Sequence, residues 1–411
     1  MAMATSPDWI GMEDAIARLL PSGGPARNRA LLLADLSAYA RTVVREARRA
    51  RVVAPTLEES ARALGWLERP VFVCGHHRSG TTLLQQLLDG HPQLLVLPSE
   101  GTYFTSFDYA ARADPAPRDI DRFIADWIAR LVDPNQDPHF KLGRSGPHGN
   151  PSLLFAQRLL GWRVALVEAR PALATFALLL ALVAAFRDVA APLSAPRLWV
   201  EKTPLNERNV QRLSAFSQAR FIQLVREPSA TLASLLELYR AAGSGEFDPA
   251  EHAQTIRRSL QLAQKHVQRF RGRYLIVRYE DLTDHPVQEM ERVGAFLGIS
   301  PDPAMSTPTV VGRAARSNSS FKQGGAGVVE RWGYSATLPP QQARLISAFT
   351  ASVARPLGYH VAQLTVLTRS AIHLRQLPSR ALRRTQAWIR RALLPIARRW
   401  VGAAGSDHEN S

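Results

Sequence analysis

The stretch from Arg69 to Pro92, "RPVFVCGHHRSGTTLLQQLLDGHP", limits the fold more than any other part of this chain. It opens with a short β-branched and aromatic run, the pattern of a buried strand. A loop bounded by Gly75 and Gly80 follows. The amphipathic run after it stops at Gly90 and Pro92, as helices do. Next, "LLVLPSE" is strand-like again. Strand, glycine loop, helix and strand predict a βαβ unit of a parallel sheet. The two glycines let main-chain N–H groups turn inward, and the helix behind them offers its positive end to an anion. An NTPase loop carries a lysine directly after the second glycine, to reach the outer phosphates. Here that position is Thr81, and the cation comes earlier, as Arg78. The change suits a 5′-phosphate bearing one further group better than a magnesium-bound β,γ-diphosphate.

The rest of the chain extends the α/β pattern. "RLWVEKTP", "ARFIQLVREP" and "RYLIVRYEDL" read as further strands, and "VQEMERVGAFLGI" as a helix. Pro204 and Pro228 each end a strand and open the next element. Residues 26–66 have apolar positions three and four apart and read as helical. Residues 134–151, rich in Pro and Gly, read as a long loop. The charge-free run "PALATFALLLALVAAF", 171–186, is short for a membrane span and predicts a helix buried in the protein. No internal repeat is found.

Composition excludes several classes. With 411 residues and 46% apolar content the chain can build one large α/β domain with extensions, or two domains. Its 51 Lys and Arg against 35 Asp and Glu favour anionic partners. The basic residues lack an interleaved aromatic platform, so nucleic acid is not expected. Cys74 stands alone, which excludes an intrachain disulfide and a cysteine metal cluster. The sequence has no HExxH, no G-x-S-x-G elbow, and no GxGxxG after a strand, and no metal is called for.

Residues 1–20 carry Asp8, Glu13 and Asp14 and no cationic start before an apolar run. No signal peptide is expected, and a cytoplasmic, bacterial setting is. Between Arg369 and Arg399 there are nine Arg and no acid, while Leu382, Ile389, Leu393, Ile396 and Trp400 share an apolar spacing. This tail predicts a basic amphipathic helix. It suits either peripheral contact with the inner membrane face or docking on its own domain.

"RSGTTLLQQLLDGHP" resembles the 5′-phosphosulfate loop of sulfotransferases that use 3′-phosphoadenylyl sulfate (PAPS), in particular the bacterial and Golgi-type branch. A second motif agrees. In "LVREPSATLASLLELY", Arg226 ends a strand and Ser234 follows on the next helix, similar to the family's pair on the 3′-phosphate. "WVEKTP" and "VRYEDLTDHP" also resemble family segments, as does "SSFKQGGAGVVERWGYSATL", the late loop over the nucleotide. The second of these reads as mainly structural.

The resemblance implies a three-layer α/β/α fold with a central parallel sheet. It divides the chain into an N-terminal helical extension (1–68), a sulfotransferase domain (69–362) and the basic tail (363–411). It implies sulfuryl transfer from PAPS to a hydroxyl or amine of a carbohydrate, lipid or small-molecule acceptor, tyrosine included. His77, Arg78, Ser79, Gly80, Thr81 and Thr82 would hold the 5′-phosphosulfate, and Arg226 and Ser234 the 3′-phosphate. Ser320 and Lys322, with Ser317 and Ser319, would contact the nucleotide from the late loop. Lys202 would neutralise charge on the leaving oxygen, and Glu100, in "LPSEGTYF", would be the base. His76, His77 and His91 are the other side chains weighed as bases, and His91 reads as a helix-terminus residue. The alternatives are a P-loop kinase-like phosphotransferase, disfavoured by Thr81, and a non-catalytic nucleotide-binding protein of the same fold.

Overall fold

The computed structural model describes residues 8–18, 29–50, 54–136, 138–146, 149–191, 195–242, 247–315, 323–324, 328–329 and 338–362. The tail after residue 362, and Ser317, Ser319, Ser320 and Lys322, lie outside the described residues. The chain divides into two compact units. The first is Met1–Glu227 with Ser259–Gly333, and the second is Pro228–Arg258 with Tyr334–Ser411.

The first unit is built on five parallel strands: β1 (Pro70–Gly75), β2 (Leu94–Val96), β3 (Leu198–Lys202), β4 (Arg220–Val225) and β5 (Tyr274–Arg278). Their order across the sheet is β2-β3-β1-β4-β5. Such strands are buried on both faces, which is why they read as continuous apolar runs. Alternate side chains serve different layers. Phe72, Cys74, Trp199 and Phe221 join one core cluster, while Val71, Val73, Val200 and Ile222 join the other.

The first layer holds α1 (Trp9–Arg18), α2 (Arg29–Arg49), α3 (Leu57–Leu67), α5 (Pro117–Leu131), α6 (Pro151–Ala169) and α7 (Ala177–Ala190). The second layer holds α4 (Thr81–Leu88), α11 (Tyr279–Asp284) and α12 (Pro286–Leu297). The short α8 (Val210–Leu213) precedes β4, and α10 (Pro249–Arg269) precedes β5. This is the expected three-layer α/β/α arrangement.

Two details refine the sequence expectation. The helical region 26–66 is broken into α2 and α3, because Pro55 lacks a donor and Thr56 starts a new helix. Thr56 Oγ1 accepts from Glu59 N (3.1 Å) while Glu59 Oε2 accepts from Thr56 N (2.7 Å), a reciprocal cap. In addition, β3 lies between β1 and β2, an order that the local βαβ pattern leaves open. The apolar run at 171–186 behaves as expected of a core helix. Pro171–Ala190 is long and apolar enough to cross a membrane, but 67% of its most apolar window is buried within the protein.

In the second unit, α9 (Pro228–Ala242) packs against α13 (Pro340–Ala354). Asp248 Oδ1 accepts from Ala250 N at 2.9 Å and caps the start of α10. His252 lies 4.9 Å from Phe247 and 5.3 Å from Tyr239, ring to ring.

Candidate active site

The chain turns in opposite directions after β1 and after β4, so the carboxyl ends of these strands form the switch point where open α/β sheets bind ligands. Gly75 ends β1 at φ 140°, and an added Cβ would come within 2.5 Å of Leu224 O. Gly80 caps α4 in the left-handed region (φ 99°), and an added Cβ would run into the Tyr279 ring. Both glycines are therefore required by conformation and by space. Arg78 also takes a left-handed φ, 68°.

Within the loop, Ser79 N and Ser79 Oγ both donate to His76 O, at 3.1 and 2.7 Å. Ser79 thus closes the turn itself. His76 is buried with Nδ1 2.9 Å from His77 O, whereas His77 is exposed. Thr81 and Thr82 occupy the first two positions of α4, where main-chain N–H groups have no partner within the helix. His91 holds Ser300 O (2.9 Å) and Gln93 N (3.1 Å), as a helix-terminus residue would.

Arg226 directly follows β4 and is only 3% exposed. Its Nη1 donates to Arg78 O at 3.0 Å, and its guanidinium lies 4.4 Å from the Tyr279 ring centroid. The anion loop and Arg226 are thereby held together. Glu280 fixes the same corner by accepting from Glu227 N at 2.9 Å. Ser234 is buried on α9 in the second unit.

On the other side of β1, Lys202 is the register partner of Val73 and ends β3. Lys202 Nζ donates to Glu100 Oε1 at 2.7 Å. The lysine side chain is 4% exposed and the glutamate 42%. Arg130 on α5 donates from Nη1 to Glu100 O (2.8 Å) and Thr102 Oγ1 (3.1 Å). Its guanidinium rests on the Phe107 ring, 4.6 Å from the centroid.

Two buried glutamates set the strand ends. Glu201 accepts from Gly101 N (2.9 Å), Asn206 Nδ2 (2.8 Å) and Thr203 Oγ1, tying the loop after β2 to the loop after β3. Burial pushes its carboxyl up to about 7, although these donors and Lys202 pull the other way. Glu207 accepts from Gly75 N (3.1 Å) and Ser259 Oγ (2.6 Å), and burial raises its pKa as well. Behind it Ser259 receives Gln223 Nε2 (3.1 Å), and Gln223 Oε1 receives Tyr274 OH (2.5 Å). Among the described residues, no group of three His, Cys, Asp or Glu is placed to hold a metal ion.

Glu100, Lys202, the glycine loop and Arg226 thus gather at the carboxyl edge of β1, β3 and β4. Tyr279 and Arg130 were not anticipated as site residues. Tyr279 belongs to "VRYEDL", which read as a structural element, and nothing in the local sequence marks Arg130. The arrangement is an α/β fold with a paired lysine and carboxylate beside a glycine loop at the carboxyl edge of the sheet.

The sequence profile of the sulfotransferase family matches residues 70–303, more than half of the chain, and the chain belongs to that family. Carbohydrate sulfotransferase 3 of Mus musculus is 27% identical over 176 residues, 38% of this chain and 37% of that one. The protein of that name from Homo sapiens is 28% identical over 183 residues, 38% of this chain and 36% of that one. The matched stretch thus spans little more than a third of the curated relatives' length. Among solved structures, the sulfotransferase domain of the Synechococcus PCC 7002 olefin synthase aligns with 74% of this chain and 93% of that one. The two are 20% identical, with a TM-score of 0.34.

Proposed function

We propose that this sulfotransferase moves a sulfuryl group from PAPS to an acceptor hydroxyl or amine, with Glu100 as base and Lys202 beside the leaving oxygen. The observation that carries the reading is the 2.7 Å Lys202–Glu100 pair, which sits at the end of β3 next to the β1 end where the glycine loop begins. A nearly buried ammonium has little freedom to swing away, while the more exposed carboxylate is open to an acceptor.

In this reading Arg78, Thr81, Thr82 and the start of α4 hold the 5′-phosphate, with Gly80 shaping the loop, Ser79 bracing it and His77 at its rim. Arg226 holds the 3′-phosphate through forked, charge-assisted bonds. The acceptor oxygen forms its bond to sulfur as the bridging O–S bond breaks in line with it. The acceptor's proton passes to Glu100. The bonding electrons leave on the 5′-phosphate of adenosine 3′,5′-bisphosphate, where the Lys202 ammonium offsets the developing charge. A sugar hydroxyl is the first acceptor class to test, because the mouse and human relatives are carbohydrate sulfotransferases. Lipid and small-molecule hydroxyls are the next.

The test is transfer of ³⁵S from labelled PAPS to panels of these acceptors. Glu100→Gln and Lys202→Ala should each lower kcat by roughly 10²- to 10³-fold, with adenosine bisphosphate still bound. Wild-type turnover in either variant would remove that residue from the mechanism. Failure of the wild-type protein to transfer label to any acceptor, with the nucleotide bound, would favour the non-catalytic alternative.

A further inference from the structure

The amino edge of the sheet carries a different basic cluster. Arg69 precedes β1, Arg197 precedes β3, Arg220 opens β4 and Arg273 precedes β5. All four line one cavity of about 430 Å³, together with Gln218 and the Leu297–Ile299 turn after α12. Among the described residues no carboxylate lines it. Glu68, the acid next in sequence to Arg69, is committed to Arg170 at 2.5 and 3.0 Å.

Three of the guanidiniums are anchored by main-chain carbonyls. Arg220 Nη1 donates to Leu297 O, Arg197 Nη1 to Gly298 O (3.4 Å), and Arg273 Nη1 to Ser217 O (2.7 Å). Capping α12 accounts for one donor each of Arg220 and Arg197. It does not account for Arg69, whose buried Nε has no hydrogen-bond partner among the described residues. A guanidinium has five donors in a fixed fork, so each anchored arginine keeps further N–H groups for a ligand. Like charges held this close oppose one another. Burial lowers the pKa of Arg220, and Arg69 and Arg197 act in the same direction.

We infer that this cavity is a second oxyanion site, taking a phosphate or sulfate group that is either free or borne as an ester on an organic molecule. The forked donors match a tetrahedral oxyanion, and its negative charge supplies the compensation that the lining residues lack. The volume leaves room for more than a lone ion. The six residues of β1 put this site roughly 17 Å from the glycine loop, at the other edge of the sheet. It is therefore independent of the proposed donor site.

The test is calorimetric titration of the full chain at fixed ionic strength with inorganic pyrophosphate, glucose 6-phosphate and glucose 6-sulfate. An Arg226→Ala background weakens phosphate binding at the other edge. At least one probe should bind, and adding Arg69→Gln should weaken it about tenfold or more. Tighter pyrophosphate would assign the pocket to a free anion, and a tighter sugar ester to an organic ligand. In chloride buffer alone, Arg69→Gln should melt no lower than wild type, since it relieves repulsion and removes no side-chain hydrogen bond found among the described residues. Absence of binding by all three probes, or equal affinity with and without Arg69→Gln, would overturn the inference. So would a clear loss of stability in chloride.

Discussion

The two edges of the central sheet are both basic, yet they handle charge in opposite ways. At the carboxyl edge, Lys202 has Glu100, Arg130 has the Glu100 carbonyl, and Arg226 has the Arg78 carbonyl and the Tyr279 ring. Behind them two buried glutamates brace the loops. At the amino edge four arginines share a cavity that no carboxylate lines among the described residues. The contrast teaches where each edge stores its specificity. Paired and hydrogen-bonded charges fix a geometry before any ligand arrives, which is what positioning for in-line transfer requires. At the amino edge main-chain carbonyls anchor three of the arginines but no described carboxylate balances their charge, so on the inference above the stability of this edge should respond to anions.

The largest break in this comparison comes from removing a brace. Glu207→Ala strips Gly75 N and Ser259 Oγ of their acceptor and leaves a cavity, at a cost of about 4 kcal/mol. Urea unfolding would measure it, and a loss below 1 kcal/mol would show that the loop does not depend on Glu207.

A smaller effect follows from the Glu201 carboxyl, which burial pushes up to about 7 in the folded state, above the ordinary glutamate value of 4.5. The folded state then holds a proton that the unfolded state has lost, so this contribution is complete below pH 4.5 and fades as pH rises through 7. Wild-type stability should therefore fall by about 3 kcal/mol relative to Glu201→Gln across that window. Parallel pH profiles for the two proteins would contradict it. The smallest effect lies at the opposite edge, in the unchanged or slightly raised melting temperature of Arg69→Gln.

Much of the carboxyl edge was legible in sequence because its signals are local. The switch from a β-branched run to a helical period around Gly75 and Gly80 marked β1, the loop and α4 together. Arg226 was visible at a strand end before a proline. What was not legible is pairing between distant segments. Glu100 and Lys202 are 102 residues apart, and their direct contact depends on β3 inserting between β1 and β2. Strand order is set by packing across the whole sheet, so a local reading gave a βαβ unit but no strand order. Tyr279 and Arg130 escaped for the same reason, since their roles exist only once β5 and α5 are in place. The break at Pro55 was written in the sequence, as a proline followed by Thr56 and Glu59 at capping spacing. The apolar period on both sides obscured it.

Thermal stabilisation by adenosine 3′,5′-bisphosphate, compared with AMP and Mg-ATP, tests most directly whether the carboxyl edge holds this nucleotide. At 100 times its dissociation constant the bisphosphate should stabilise the wild-type protein by about 2.7 kcal/mol, selectively, with the effect largely lost in Arg226→Ala. Equal or greater stabilisation by Mg-ATP, or full retention of the bisphosphate effect in Arg226→Ala, would contradict the assignment of this edge to a PAPS site.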